Sequence, residues 1–451
     1  MTKKKWALAI LSILLLLGYF KFFYKTYSNT VVAKSADCII ALDIKRISNT
    51  IIWDIITTPS QWKKVSFSSS GKISWKDMLK IPDYVFVFHS ADHPGNAWYS
   101  VFEIKSKDDF NKGLAYYHFE KRAGSKGMTE YFSKDLAVEM IQSGNRLLLG
   151  NAAVEDKQYI RGVAEELFVK DQYTANQTLL KNIEAKSHLA IQLFKNNFLQ
   201  EDAVIKANFD KNGIVIDASI TAQKQFGFAE HDFSNSPNSL CVLGFTQPPP
   251  SLYSLVTVAG REHISKAINF NIDSLLLQSN TCYSLDITGI QPRVDSAISY
   301  SYDDNFNPVQ KVVLNNVLEP SFHFSIKGDS VNNIYNYWSR NGKLEKTAAG
   351  ELFIPMPLVR SYCNKITDKE LLIASADQGN GKTTDPVNCI FFFKLMLDKI
   401  PPALLKYLPA DLVKALANIE SVQIVAKKDN GQLMLHGNIE KKKNDQLLID
   451  L

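Results

Sequence analysis

Stretches in which apolar and polar residues alternate recur along the chain, and they predict strands. "YVFVFHS" (Tyr84–Ser90), "WYSVFEI" (Trp98–Ile104), "AISYSY" (Ala297–Tyr302) and "VQKVVL" (Val309–Leu314) follow the period of two that sends successive side chains to opposite faces of a sheet. Two such alternating pairs enclose Asn-Gly, the strongest short hairpin signal. They are "AVIKANFDKNGIVIDASI" around Asn212-Gly213 and "SVQIVAKKDNGQLMLHGNI" around Asn430-Gly431. Helical spacing is rarer. "VEDKQYIRGVAEELF" puts Ile160, Val163, Ala164 and Leu167 on one side of a helix. "FNKGLAYYHFEKR" and "VNNIYNYWSR" each follow a strand, an Ile-Lys pair and an acidic or hydroxyl-bearing helix start.

The order of these elements predicts a duplication. "DCIIALDI" matches "LCVLGFTQ", so that Cys38 corresponds to Cys241. "WYSVFEIKSKDDF" matches "PSFHFSIKGDSVN", which pairs Phe102 and Ile104 with Phe324 and Ile326. The two aromatic helices follow in turn. Then "GNRLLLGNA" matches "DKELLIASA", "HLAIQLF" matches "NCIFFFK", and each series ends on its Asn-Gly hairpin. The fold class expected is α+β: two related copies of a mostly antiparallel sheet with helices packed on it, preceded by one N-terminal transmembrane helix. The expected divisions are a membrane anchor at 1–25, a stalk at 26–36, a first repeat at 37–222, a linker at 223–238, a second repeat at 239–440 and a polar tail at 441–451.

Charge matters mainly at the N-terminus. Residues 1–25 contain Lys3, Lys4, Lys5, Lys21 and Lys25 and no acid; without these five the chain holds 46 basic and 46 acidic residues. The remainder is therefore neutral, and no nucleic-acid partner is expected, because such a partner needs a basic surface on the fold itself. With Lys21 snorkelling, Trp6–Tyr24 is long enough to span a bilayer core, and the aromatics at its end suit the far interface. No small-x-small cleavage site follows the apolar run at once, which favours an uncleaved anchor over a signal peptide. Three lysines before the span and two after it favour an extracytoplasmic bulk and an inner-membrane location.

Candidate chemistry is sparse. Ala376, Gly381, Lys382 and Thr383 satisfy the loose phosphate-loop pattern, but Asp385-Pro386 and the strand-like "CIFFF" follow where that loop must open into a helix. A polar turn is expected there, and no nucleotide. His89 and His93 flank Asp92 in "HSADH", just before Pro94-Gly95; a turn is expected, since a metal needs a third ligand on a fixed element. "DDNFNP" imitates a calcium loop, but Pro308 stands where the loop needs Gly and Leu314 where it needs Glu. The five cysteines show no CxxC spacing, and buried free thiols are expected. No catalytic residue, cofactor or metal is expected. Tyr116, Tyr117, Tyr335 and Trp338, on the two aromatic helices, are the candidate partner or ligand surface, with core packing as their competing use.

The apolar N-terminus, the "ADCIIALDIKRIS" opening and the doubled pattern of elements resemble uncharacterised bacterial envelope proteins with domains of unknown function. That resemblance implies location and architecture and no activity. The expected function is a non-enzymatic envelope protein whose exterior serves as a scaffold or binds another envelope component. The alternative is a binding module for an apolar or lipid-like ligand held between the two copies. An exposed flat apolar patch would favour the first, and a deep apolar cleft the second.

Overall fold

The structure is a computed structural model. It describes residues 24–57, 73–151, 158–174, 187–223, 229–233, 238–246, 258–267, 281–302, 306–355, 359–375, 386–405 and 416–442, apart from 125, 134, 197, 211 and 349, together with the single positions 271, 273 and 413. The chain separates into two compact units at Thr221/Ala222.

Unit 1 contains strands β1 (Ala36–Asp43), β2 (Leu79–Lys80), β3 (Tyr84–Ser90), β4 (Trp98–Ile104), β5 (Glu120–Ala123), β6 (Thr129–Ser133), β7 (Val138–Ser143), β8 (Arg146–Asn151), β9 (Leu189–Leu193), β10 (Ala203–Phe209) and β11 (Gly213–Ile220). All pair antiparallel, in the order β5-β6-β7-β8-β4-β3-β1-β9-β10-β11, with β2 on the end of β4. Three helices of ten residues or more accompany the sheet, α1 (Ile44–Thr57), α2 (Lys107–Tyr116) and α3 (Gln158–Phe168), beside the four-residue helix Trp75–Met78. The apolar stripe of α3, Ile160, Val163, Ala164 and Leu167, is buried against Ile39, Phe88, Tyr99 and Leu148 of the sheet. On α2 the N-cap is Ser106, whose hydroxyl accepts from the backbone of Asp109, and Phe110 and Leu114 join Ile104, Tyr131 and Met140 in a second cluster.

Unit 2 contains β12 (His231–Phe233), β13 (Cys241–Thr246), β14 (Thr281–Tyr302), β15 (Pro308–Gly328), β16 (Leu344–Thr347), β17 (Gly350–Phe353), β18 (Ser361–Thr367), β19 (Glu370–Ser375), β20 (Val387–Cys389), β21 (Phe391–Met396), β22 (Ile419–Asp429) and β23 (Gln432–Lys441). Its main antiparallel order is β16-β17-β18-β19-β15-β14-β13-β21-β22-β23, and β12 pairs separately with β20. Read in chain order, this is the same connectivity as in unit 1. Its ten-residue helices are α4 (Val258–Ala267) and α5 (Val331–Arg340), beside the four-residue helix Pro402–Leu405. Val331, Ile334 and Trp338 of α5 are buried with Tyr283, Ile326, Leu371 and Ile373 of the sheet. Ile104 and Ile326 are buried on their strands while Glu103 is exposed, as period-two alternation requires.

The α+β class with a leading transmembrane helix is corrected. Strand makes up 54% of the structure against 20% helix, so the architecture is antiparallel sheet with a few short helices laid on it. The longest described helix, α1, has 14 residues, and no described helix is long and apolar enough to cross a membrane. Residues 1–23, where the anchor was expected, lie outside the described residues. The physical reason for the excess of strand is period-two patterning that runs further than its short, clear segments. "AISYSY" and "VQKVVL" are the ends of β14 and β15, which have 22 and 21 residues. Pro292 does not stop β14, because beyond Ile287 the strand pairs on one side only among the described residues, and prolines are tolerated on such edge strands.

Candidate interaction surface

Two hairpins carry most of the polar or exposed chemistry that the fold does not use up, β3–β4 in unit 1 and β14–β15 in unit 2. At the turn of β3–β4, His89 Nδ1 lies 2.7 Å from Asp37 Oδ1 and its Nε2 lies 3.1 Å from the carbonyl oxygen of Pro94. His93 goes elsewhere: its Nδ1 is 3.0 Å from the Tyr99 hydroxyl, and its ring packs against Tyr159. Burial, then the neighbouring His89, pulls the His93 pKa down, while burial and Glu139 push that of Tyr99 up to about 12. Nearby, Glu166 accepts from the backbone N–H of Ser35 at 2.8 Å and from its hydroxyl at 2.6 Å. The two histidines thus have separate partners, and no group of three or more metal-ligating side chains is found among the described residues. The whole cluster reads as a satisfied network that fixes the β3–β4 turn.

A second histidine network sits at the start of β9. His188 is buried, its Nδ1 accepts from the backbone N–H of Phe209 at 3.1 Å, and its Nε2 is 2.7 Å from Thr50 Oγ1. Its ring stacks on Phe209, and its carbonyl accepts from the N–H of Asp43 at 2.9 Å. Asp43 is fully buried and ion-paired with Lys25 and Arg46. Burial, then the Arg46 charge, lowers the His188 pKa to about 4, so at neutral pH the ring is a neutral structural group.

The four aromatics expected to form a surface do not share one role. Tyr116 is exposed, whereas Tyr117 stacks on Trp75 at 5.3 Å and donates to the carbonyl of Ile73 at 2.7 Å. Tyr335 donates to Glu351 at 2.8 Å and packs against the unit 2 core. Trp338 is 1% exposed and packs on Phe353, so it is core. Lys382 and Thr383 of the phosphate-loop pattern, between β19 and β20, lie outside the described residues, and so do Asp303–Asn305 of the calcium-loop imitation. All five cysteines are free; burial raises the pKa of Cys38 and of Cys389 to about 11 and that of Cys363 to about 12, which keeps these thiols protonated and inert.

The surface that sequence reading missed is the far part of β14–β15. Beyond Ile287, β14 pairs only with β15, and ahead of His323, β15 pairs only with β14, among the described residues. The pairing continues from Gly289↔Ser321 to Tyr302↔Pro308, a two-stranded arm roughly 40 Å long. Facing residues of an antiparallel pair lie on the same side, so one face carries Val294, Ile298, Tyr300, Val312, Leu314 and Leu318, with Ser296, Gln310 and Asn316 between them. Those six apolar side chains are exposed, from 42% at Leu318 to 68% at Leu314. No charged residue stands among them. The opposite face is mixed: Arg293, Ser299, Lys311, Asn315 and Glu319 stand there with Val309, Val313 and Val317, of which Val309 is exposed. At its root Glu319 is buried, ion-paired with Arg293 at 3.0 Å, and accepts from the backbone N–H of Arg360 at 2.8 Å. Phe306, at the tip, is 84% exposed. The signal available in sequence was the alternation itself, carried past Pro292, and the longer spacing between the first two matched blocks of the second series.

No protein-family model matches the chain, and no curated protein is similar to it. Among solved structures, crystal form III of TP0453 is 11% identical, with 54% of this chain and 87% of that one covered at a TM-score of 0.29. Crystal form I of TP0453 is 10% identical, with 78% and 93% covered at a TM-score of 0.21. Likenesses at these scores carry no argument about fold or activity.

Proposed function

We propose that this chain works by binding rather than by catalysis, as a scaffold or interaction protein, and that the apolar face of the β14–β15 arm is its contact surface. One observation carries the reading: six apolar side chains lie exposed together on one uncharged face of a ribbon that pairs with no further strand among the described residues. Contiguous exposed apolar patches of this kind mark interaction sites in folded proteins. A two-stranded hairpin alone is marginal in water, so an arm of this length gains its reason to persist from a partner that covers it. The location that goes with the reading, an envelope protein with most of the chain outside the cytoplasm, rests on the composition of residues 1–25.

The test uses a photo-crosslinking residue in cells, placed in turn at Val312 and at Ser299. These positions are on neighbouring rungs and opposite faces. Adducts from position 312 and none from position 299 are expected. Equal adduct formation from both, or none from either, would remove the arm as the contact surface.

A further inference from the structure

We infer that the partner covering the arm is a second copy of this chain, its own β14–β15 arm laid face to face on the first. The inference rests on the reading that the apolar face is a contact surface, and it names what sits there.

Area is the first argument. Six side chains at the observed exposures leave on the order of 600 Å² of apolar surface on one face, near the roughly 800 Å² per partner of a stable interface. With Ser296, Gln310, Asn316 and the flanking Pro292 and Pro308 added, one arm face supplies about what one side of a dimer needs. No other element is required. Two ribbons stacked about 10 Å apart form a four-stranded sandwich, which covers the exposed face of each.

The chemistry of the face selects among occupants. A lipid surface is disfavoured. Gln310 and Asn316 lie among the apolar residues, and hydrocarbon would offer their amides no partner. Neither outer edge of the ribbon pairs with another strand among the described residues, and edge backbone groups cost dearly in hydrocarbon. A facing protein ribbon avoids both problems. Its own Gln and Asn side chains are partners for these groups, and the edges stay in water. An unlike protein partner is usually selected by complementary charge. This face has none to offer, whereas two copies meet with no like-charge repulsion. A face that serves both partners must be compatible with itself, and an uncharged stripe of β-branched, leucine and tyrosine side chains meets that condition.

The experiment is sedimentation of the full chain in density-matched neutral detergent, at concentrations from one to tens of micromolar. The wild type is expected at twice the chain mass. Ile298→Thr with Leu314→Thr keeps strand propensity while removing apolar area. It is expected to weaken the association at least a hundredfold, and Ile298→Asp with Leu314→Asp to abolish it. Ser299→Asp, on the opposite face, is expected to leave the mass unchanged. Near-ultraviolet circular dichroism checks that each variant is folded; if the aspartate pair is not, the threonine pair decides. A monomeric wild type at tens of micromolar overturns the inference, as does a dimer indifferent to both substitution pairs. The crosslinks at position 312 separate this failure from that of the broader reading. A monomeric wild type whose position 312 links to a different protein overturns self-pairing and leaves the contact surface standing. A monomer with no adducts overturns both. Flotation with neutral phosphatidylcholine vesicles covers the remaining occupant: binding lost on the aspartate pair, with a monomeric wild type, assigns the face to lipid and overturns the inference.

Discussion

The β3–β4 hairpin of unit 1 and the β14–β15 hairpin of unit 2 hold the same place in the same strand order, yet they differ threefold in length. β3 and β4 have 7 residues each; β14 and β15 have 22 and 21. In unit 1 every residue of β3 pairs with β1, and β4 is held between β3 and β8. In unit 2 only Cys282–Ile287 of β14 pairs with β13, and only His323–Lys327 of β15 pairs with β19. The sheet therefore needs about as much strand here in unit 2 as in unit 1. What lies beyond is not asked for by the fold. The two ends differ in chemistry as well: the short hairpin is tied to β1 through His89–Asp37 and closed by His93–Tyr99, while the long one ends in exposed apolar side chains.

The most drastic way to test that comparison is to make the long hairpin short. Replacing residues 294–316 by Asn-Gly keeps Arg293, Glu319 and the Arg360 contact. Self-association is expected to disappear, while unit 2 keeps its melting temperature to within a few degrees, a change of about 1 kcal/mol or less. A truncated chain that unfolds would show that the arm is part of the fold, and the comparison would fail.

Acid separates the units next. His188 belongs to unit 1, with a pKa of about 4 in the folded state against 6.5 for the ordinary side chain. Between those values the unfolded chain binds a proton that the folded chain does not. Stability is therefore lost as pH falls from about 6.5 towards 4, by up to about 3 kcal/mol. The charges facing the ring are Arg46, Asp43 and Lys25. Hydrogen exchange followed by mass spectrometry at pH 6.5 and pH 4.5 should show faster opening of β1, β9 and β10 than of β13, β21 and β22. His188→Gln should flatten that difference; if acid opens both units equally in the wild type, His188 is not its source.

A smaller effect concerns the first strands. Three residues past its cysteine, β1 has Ala41 and β13 has Gly244. A Cβ at Gly244 would stand 2.4 to 2.9 Å from ring atoms of Phe233, a fully buried residue of β12. Gly244→Ala should therefore cost about 1–3 kcal/mol, read as a lower midpoint in urea for unit 2. A neutral result would mean that Phe233 swings aside freely.

How much of this could be read from the chain depends on the range of the signal. Both Asn-Gly hairpins, the alternation of Glu103 against Ile104, and the buried stripe of α3 are local patterns, and each stands in the structure where its pattern put it. The balance of strand and helix was misjudged because a strand of 22 residues with a proline inside looks like two short ones. Trp338 was expected on a surface and is core for a related reason. Aromatics at helical spacing, such as Trp338, look the same whether the helix turns them inward or outward, and only the sheet beneath α5 decides. Val294 and Leu314 looked like ordinary strand residues, because nothing local says that their side chains stay exposed.

The smallest expected effect lies in the two closing hairpins, which turn by different means. Between β22 and β23 the loop is Asn430-Gly431, both left-handed, with φ of 47° and 82°. Such a two-residue turn matches the twist of the strands because both central residues take positive φ. Between β10 and β11 the Asp210 carboxylate instead accepts from the N–H groups of Asn212 at 2.7 Å and Gly213 at 3.0 Å. One turn is held by backbone conformation and the other by a side chain, so each should have its own weak point. Space is open around Gly431, so Gly431→Ala meets no clash, and its cost is the left-handed backbone alone, about 1 kcal/mol. Asp210→Ala removes a charge-assisted acceptor at an exposed turn and should cost unit 1 a similar amount. Thermal unfolding of the two single variants and the double variant settles whether they are independent. Additive losses are expected for turns held by unrelated interactions, one a backbone conformation and the other a side-chain acceptor. A Gly431→Ala variant as stable as the wild type would show that the turn relaxes out of its left-handed form at no cost.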